Sequence, residues 1–556
     1  MVTIDALYNT GEITLDTRKS IAAAHPELLL YLLTVSRIDR TGSISGKEPL
    51  GHLILGSYVR MVGWDVRIYA GSIYEALDVL RSRREDDANR KVLVGIYCDY
   101  ENLEAVVSLA SRLHAELGYP ILLGGPQAIA LDEAFVRRFP FVDAFIRGDG
   151  EHSLPDVLAA YAAGHPEARF SVHGVCGLLK DEYVDGGFSD PLTDMDESPS
   201  TSDADMIFRG PRVSLAALSG RGCPFHCAFC YEGGNSKTVR LRSVEHMMRE
   251  LERRFEEHPE AKFVYFGDDT FTLQPKRLRQ FCEALKALRK KHDFIWFADG
   301  HVRVLLAHPE YLPMMIDAGL CRMQIGIEST CQPIIDLYNK NVRKEEFYRV
   351  LDMCLEAGLP QLVGNIIIGG AMETEASIRE TFDTIYDLLR RSRGILDVTS
   401  TLYSNFPGTA MSRAPENFGL NILDPDGLTS FGDYPIARTA ELSLDRIAQL
   451  RREFIVNTQR VMRECVKNGE VDDWRIMQTF KLQQRYGLTN MWYIFGMPSN
   501  NLKRFYTYNS AYGTAYGKLC DVDSAIPVRT MFLSGERDYL KPIPSLDGYP
   551  VSPFES

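Results

Sequence analysis

The sequence predicts an α/β protein in three parts: a doubly wound N-terminal domain, a second series of βα units, and a mainly α C-terminal region. Three observations predict it. Short apolar runs alternate with amphipathic stretches over residues 28–165, the signature of repeated βαβ units and a parallel sheet. The alternation breaks across a connector rich in Ser, Asp, Gly and Pro and resumes at Val213. Helical spacing then appears at Leu442 to Val466 and Asp472 to Tyr486. At 556 residues the chain exceeds one core, and these breaks divide it at 1–165, 166–212, 213–412 and 413–556.

In the first part, strands are expected at Leu28 to Val35, Asp65 to Tyr69, Lys91 to Tyr97, Pro120 to Leu123 and Val142 to Ile146. Helices fall between them at Leu50 to Val62, Ile73 to Arg84 and Leu103 to Leu117. Ligands of such sheets sit at the carboxyl ends of the strands. Those ends read Gly95-Ile-Tyr97-Cys98, Gly124-Gly125-Pro126 and Arg147-Gly148-Asp149-Gly150-Glu151. Glycine there lets backbone approach a ligand closely, a pattern shared by nucleotide-binding and ligand-free domains of this class. Residues 166–212 cannot bury a core of their own and read as a linker.

The second part carries six expected strands, at Val213 to Ala217, Phe263 to Phe266, Ile295 to Ala298, Arg322 to Ile327, Val363 to Ile368 and Val398 to Tyr403. After the first comes Gly220-Arg-Gly-Cys223-Pro-Phe-His-Cys227-Ala-Phe-Cys230. A C-x3-C-x2-C spacing without a fourth partner suits a 4Fe-4S cluster held by three thiolates, with one iron open to a substrate or cofactor. A structural zinc knuckle would want a fourth Cys or His. His226 sits inside the loop, where closing a tetrahedron is awkward.

Composition narrows the class. Hydrophobic content of 45% and charged content of 25% are those of an ordinary globular protein. The formal net charge of -13 argues against a nucleic-acid partner. No apolar signal stretch or 18-residue apolar run is seen, so the expected location is cytoplasmic with no membrane partner. Of eleven cysteines three cluster, which favours a metal site in a reducing compartment over a disulfide framework. The other eight read as small buried apolar residues.

The cysteine loop resembles that of the radical S-adenosylmethionine (SAM) enzymes. The preceding domain, with strand ends Leu-Gly-Gly-Pro and Arg-Gly-Asp-Gly-Glu, resembles the cobalamin-binding domain of the cobalamin-dependent radical SAM enzymes. The likeness covers roughly residues 28–415. It implies a Rossmann-like cobalamin-binding domain, a partial (β/α)6 barrel, and three cofactors: a 4Fe-4S cluster on Cys223, Cys227 and Cys230, SAM, and cobalamin. Tyr97, Gly124, Gly125, Gly148, Gly150 and Glu151 then become candidates for cobalamin contact. The D-x-H-x-x-G element is absent: Ser36-Arg-Ile-Asp-Arg40 holds no histidine and His52 lies in the next helix. Cobalamin would therefore bind without a protein histidine on cobalt.

The same resemblance places SAM contacts at strand ends. Gly267, Asp268 and Asp269 correspond to the segment whose backbone holds the methionine amino group, although a solvated acidic turn explains the two aspartates equally well. Glu328 and Ser329 correspond to polar SAM contacts, and a glutamate among apolar residues is costly to bury unless paired. Gly369 clears room for the adenine. Phe229 either packs over that adenine or belongs to the core. Arg240 and Arg242 meet a carboxylate or begin a solvated helix. The implied activity is methyl transfer from SAM through methylcobalamin to an unactivated carbon of a small-molecule or peptide substrate, as in natural-product biosynthesis. A flavodoxin- or ferredoxin-type reductant is implied with it. Non-methylating cyclisation, rearrangement or oxidation is the alternative. The C-terminal aromatics Met491-Trp-Tyr-Ile-Phe and Arg504-Phe-Tyr-Thr-Tyr are expected to form a lid core or to line a substrate pocket.

Overall fold

The computed structural model describes residues 14–36, 48–99, 102–210, 212–236, 238–423, 435–486 and 488. The chain forms two compact units whose main boundary falls after Gly210.

The first unit is organised by strand β1 (Leu28–Ser36), whose sequence LLLYLLTVS is apolar at nearly every position because both faces are covered. It pairs in parallel with β2 (Asp65–Ser72) and β3 (Lys91–Tyr97), and β4 (Ile121–Gly124) and β5 (Ala144–Ile146) continue the parallel sheet. One face packs Leu29, Tyr31 and Leu33 against Val106 and Leu113 of the helix Leu103–Leu117. The other packs Leu30 and Leu32 against Leu53 and Val59 of the helix Leu50–Val62. The order β2-β1-β3-β4-β5 reverses direction between β1 and β3. That reversal opens the crevice at the carboxyl ends of the strands where ligands of this class bind.

Residues 166–212 are more than a linker. Val175–Leu179 (β6) pairs antiparallel with β5, and Glu182–Val184 (β7) pairs antiparallel with β6, giving seven strands where five were expected. Lys180 and Asp181 both adopt left-handed backbone, φ 50° and 68°, which makes a two-residue hairpin turn. That pair lacks the Asn-Gly or Asp-Gly signal of such turns, so the hairpin was invisible in the sequence.

The second unit is a six-stranded parallel sheet whose strands lie side by side in chain order. Its strands are β8 (Ser214–Ala217), β11 (Phe263–Phe266), β12 (Ile295–Gly300), β13 (Leu320–Glu328), β14 (Gln361–Ile368) and β15 (Leu396–Leu402). Each is followed by helix, as a partial (β/α)6 barrel requires. Between β8 and β11 a short antiparallel pair, β9 (Gly220–Arg221) and β10 (Arg240–Leu241), brackets the cysteine loop at its two ends.

The C-terminal helix Leu444–Lys467 does not found a separate domain. Ile447, Leu450, Phe454, Val461, Met462 and Cys465 enter the same core as β13, β14 and β15. Phe454 meets Phe382 of the helix Glu375–Arg391 at 4.7 Å between ring centroids. The loop at 37–40 and the aromatic segments around Met491 and Arg504 lie outside the described residues. Among the described residues no helix is long and apolar enough to cross a membrane.

Candidate functional site

The cysteine loop is held by its backbone. Gly222 N–H donates to Asp269 Oδ2 at 3.0 Å, Cys223 N–H to Ser236 O at 3.1 Å, and Ala228 N–H to Tyr338 O at 2.8 Å. Asp268 is buried and accepts from Ser219 N at 2.7 Å and from the Ser219 hydroxyl. Asp268 is buried within the turn while Asp269 is exposed beside it, and the two carboxylates clamp the chain entering the cysteine loop. Desolvation raises both carboxyls, Asp268 to about 6. Burial also raises the Cys227 thiol and pushes Cys230 up to about 12. A bare thiolate is costly there, and metal ligation offsets that cost.

Cys223 Sγ lies 3.5 Å from Thr270 Oγ1. Among the described residues no three His, Cys, Asp or Glu side chains converge on a single ion position. A cubane takes each thiolate on a different iron, so it does not require the three to converge on one ion.

Of the two expectations for Arg242 the carboxylate holds, and it is a residue of the protein's own, Glu250. Arg242 is buried and donates from Nη1 to Glu250 Oε2 at 2.7 Å, both side chains 2% exposed. Arg242→Leu removes the buried guanidinium that pairs with the buried Glu250 carboxylate. We expect a loss of about 3–5 kcal/mol in denaturant-measured stability.

Polar atoms buried without a hydrogen-bond partner near the strand ends include Asp299 Oδ1 in β12, His301 Nε2 just after it, and the Tyr338 hydroxyl. Buried polar groups are almost always satisfied, so these fit a polar ligand such as SAM or its co-substrate. Burial drives Asp299 up to about 7 and His301 down to about 3, so His301 is a neutral imidazole, stacked on Phe225 at 3.7 Å. Phe229 meets Tyr338 edge-on at 5.1 Å. Glu328 ends β13 with φ 62° and pairs with Lys340, Nζ to Oε1 3.2 Å. Ser329 is committed within the fold, its hydroxyl 3.1 Å from Thr381 Oγ1 and accepting from Cys331 N at 3.2 Å.

Gly369 has φ 82°, and its N–H and that of Gly370 donate to the buried Glu373 Oε2 at 2.7 and 2.9 Å. Burial raises Glu373 to about 7 despite those two bonds. Its folded value lies above the ordinary carboxyl value, so the folded state holds the proton longer. Stability is then full below about pH 4, falls as pH rises through about 7, and levels off above. Thermal melts across that window should show a decline of order 3 kcal/mol at about 1.4 kcal/mol per pH unit, flattened in Glu373→Gln. The sequence signalled Glu328, Gly369 and the cysteines. It gave no sign of Lys340, Asp299, His301 or Tyr338, which stand outside recognisable spacing and acquire meaning through tertiary contacts.

In the first unit, Tyr97 closes β3 and packs edge-on to His52 at 6.0 Å. His52 is buried, 2.8 Å from Thr34 Oγ1 through Nδ1, and burial lowers it to about 4. Gly125 has φ 111°, and a Cβ there would sit 2.5 Å from Cys98 O and 2.9 Å from the Tyr97 ring. Gly124 differs: a Cβ on it meets nothing within 4 Å. The end of β4 therefore faces open space that a flat ligand fits. Gly148, φ 90°, lies in a loop fastened by Ser189, whose N–H and hydroxyl donate to Arg147 O at 2.9 and 2.6 Å. Gly150 begins the helix Gly150–Ala162 against Leu55, and Glu151 is buried in its first turn.

Residues 218–385 match the Radical SAM superfamily. The anaerobic magnesium-protoporphyrin IX monomethyl ester cyclase of Cereibacter sphaeroides is 27% identical over 48% of this chain and 44% of its own length. The cobalamin-dependent radical SAM methyltransferase TokK of Streptomyces tokunonensis is 25% identical over 48% of this chain and 40% of its own. The chain thus spans about half or less of these curated relatives. Among solved structures, the cobalamin-dependent SAM radical enzyme OxsB, with aqua-cobalamin and SAM bound, superposes with a TM-score of 0.63 at 17% identity, over 89% of this chain and 73% of that one. Residues 218–385 are a radical SAM domain, set in a chain with the fold of the cobalamin-dependent radical SAM enzymes.

Proposed function

We propose that this protein is a cobalamin-dependent radical SAM methyltransferase acting on an unactivated centre of a small molecule or peptide in natural-product biosynthesis. The observation that carries it is the pairing, in one chain, of a partly buried three-cysteine loop flanked by unpartnered polar atoms with a doubly wound unit whose β4 end opens at Gly124. When bound, the cluster with SAM supplies a hydrogen-abstracting radical and cobalamin supplies a methyl carrier.

The chain's own residues do the rest. Cys223, Cys227 and Cys230 provide thiolates, and Asp268 and Asp269 hold their loop in place. Asp299, His301 and Tyr338 offer polar atoms to the aminoacyl or ribose groups of SAM or to substrate. With its folded value near 3, His301 stays uncharged at physiological pH and acts by hydrogen bonding rather than as a cation. Cobalamin would lie at the crevice formed by Tyr97, Gly124, Gly125 and the Gly148–Glu151 turn. Electrons would come from a flavodoxin- or ferredoxin-type reductant.

The cyclase relative supports a second reading, radical oxidation or cyclisation without methyl transfer. Anaerobic reconstitution with cobalamin, reductant and SAM, assaying S-adenosylhomocysteine and 5'-deoxyadenosine together, separates the two. Methyl transfer yields both; the second reading yields 5'-deoxyadenosine alone. Neither product sinks both readings.

A further inference from the structure

Lys340 is a buried cation delivered to the cysteine loop by a turn built for that purpose. Asn339 and Asn341 flank it in left-handed backbone, φ 53° and 55°, a conformation asparagine tolerates better than most residues. The turn is pinned to the loop at three points. Ala228 N–H donates to Tyr338 O at 2.8 Å, Asn339 Nδ2 donates to His226 O at 2.8 Å, and the Tyr338 ring meets Phe229. The Lys340 ammonium then lies 3.2 Å from Glu328 Oε1 and 5.9 Å from the Phe229 ring centre.

Two features of the surroundings are costly and serve this pair. Glu328 carries φ 62°, unfavourable for a residue with a Cβ, and such outliers persist where surrounding structure holds them for a use. Gly326 has no side chain because the pair occupies that volume: a Cβ there would overlap the Glu328 carboxylate and lie 2.7 Å from Lys340 Nζ. Burial by itself would depress Lys340, yet the Glu328 carboxylate beside it keeps it above the ordinary lysine value.

We infer that Lys340 is an electrostatic positioning residue for the cluster held by Cys223, Cys227 and Cys230, raising its reduction potential, with Glu328 as the counterweight that limits the rise. The inference rests on the reading of those cysteines as cluster ligands. A reduced cluster carries one more negative charge than an oxidised one, so a desolvated cation nearby favours the reduced form. The anion beside it acts in the opposite sense.

The test is redox titration by electron paramagnetic resonance on full-length protein reconstituted with iron and sulfide, without SAM, at alkaline pH. Lys340→Met is expected to shift the midpoint to more negative potential and Glu328→Gln to more positive, while Lys340→Arg stays near wild type. Opposite signs from two halves of one ion pair are not what a merely structural defect produces. Full iron loading with an unchanged midpoint in Lys340→Met overturns the proposal. So does weakened SAM binding with an unchanged midpoint, which would make Lys340 a ligand contact. Should Lys340→Met fail to assemble a cluster, Glu328→Gln and Lys340→Arg still decide: a midpoint that does not rise in the first, or that falls in the second, overturns it. A wild-type protein that assembles no cluster removes the underlying reading as well.

Discussion

Replacing Cys223, Cys227 and Cys230 together with Ala is expected to abolish iron–sulfur absorbance and reductive SAM cleavage while leaving the protein folded. Folding should survive because the loop is tied by backbone and carboxylate bonds that need no sulfur: Gly222 to Asp269, Cys223 N–H to Ser236, Ala228 to Tyr338, and Ser219 to Asp268. Each Cys→Ala change removes one small side chain, worth roughly 1 kcal/mol. Loss of SAM cleavage should be complete, since without thiolates nothing on the loop binds the irons. Cys354→Ala, fully buried in the helix Lys344–Ala357, is the control and should keep both iron and 5'-deoxyadenosine output. Normal iron and normal cleavage in the triple variant would remove the cluster reading altogether.

What the sequence disclosed follows from how its elements are buried. Strands covered on both faces announce themselves as apolar runs, so β1, β3, β11 and β14 lie within a residue or two of expectation. β6 and β7 escaped because three- to five-residue strands around a Lys-Asp turn carry neither length nor turn signal. The helix Leu444–Lys467 was legible as a helix, yet an apolar stripe does not say what it packs against, and here it packs into the barrel core. The site divides the same way. Cysteine spacing is a local property and reads directly. Asp268 and Asp269 stood out, but their work of fastening Ser219 and Gly222 depends on β8 and β11 being neighbours. Lys340 reaches Glu328 across a fold, and no spacing rule joins the two.

The second large effect concerns the first unit, where Gly124 is a sharper probe than Gly125. Gly125→Val would strain left-handed backbone and strike Cys98 O and Tyr97, so a loss of cobalamin could reflect damage to the fold. Gly124 has no such conflict, because its Cβ direction is empty to 4 Å and it continues a regular strand in register with Tyr97 and Ile146. Gly124→Leu should therefore preserve melting temperature, iron content and cluster spectrum while filling the space at the end of β4 that cobalamin needs. We expect cobalamin retained after gel filtration to fall at least about tenfold, the equivalent of about 1.4 kcal/mol, and methyl transfer to fall with it. SAM cleavage in the absence of cobalamin should be unchanged. If Gly124→Leu binds cobalamin as wild type does, the cofactor does not lie at the β4 end. If the wild-type protein takes up none while assembling its cluster, the unit keeps the cobalamin-type fold without the cofactor, and the methyltransferase reading gives way to radical chemistry without a methyl carrier.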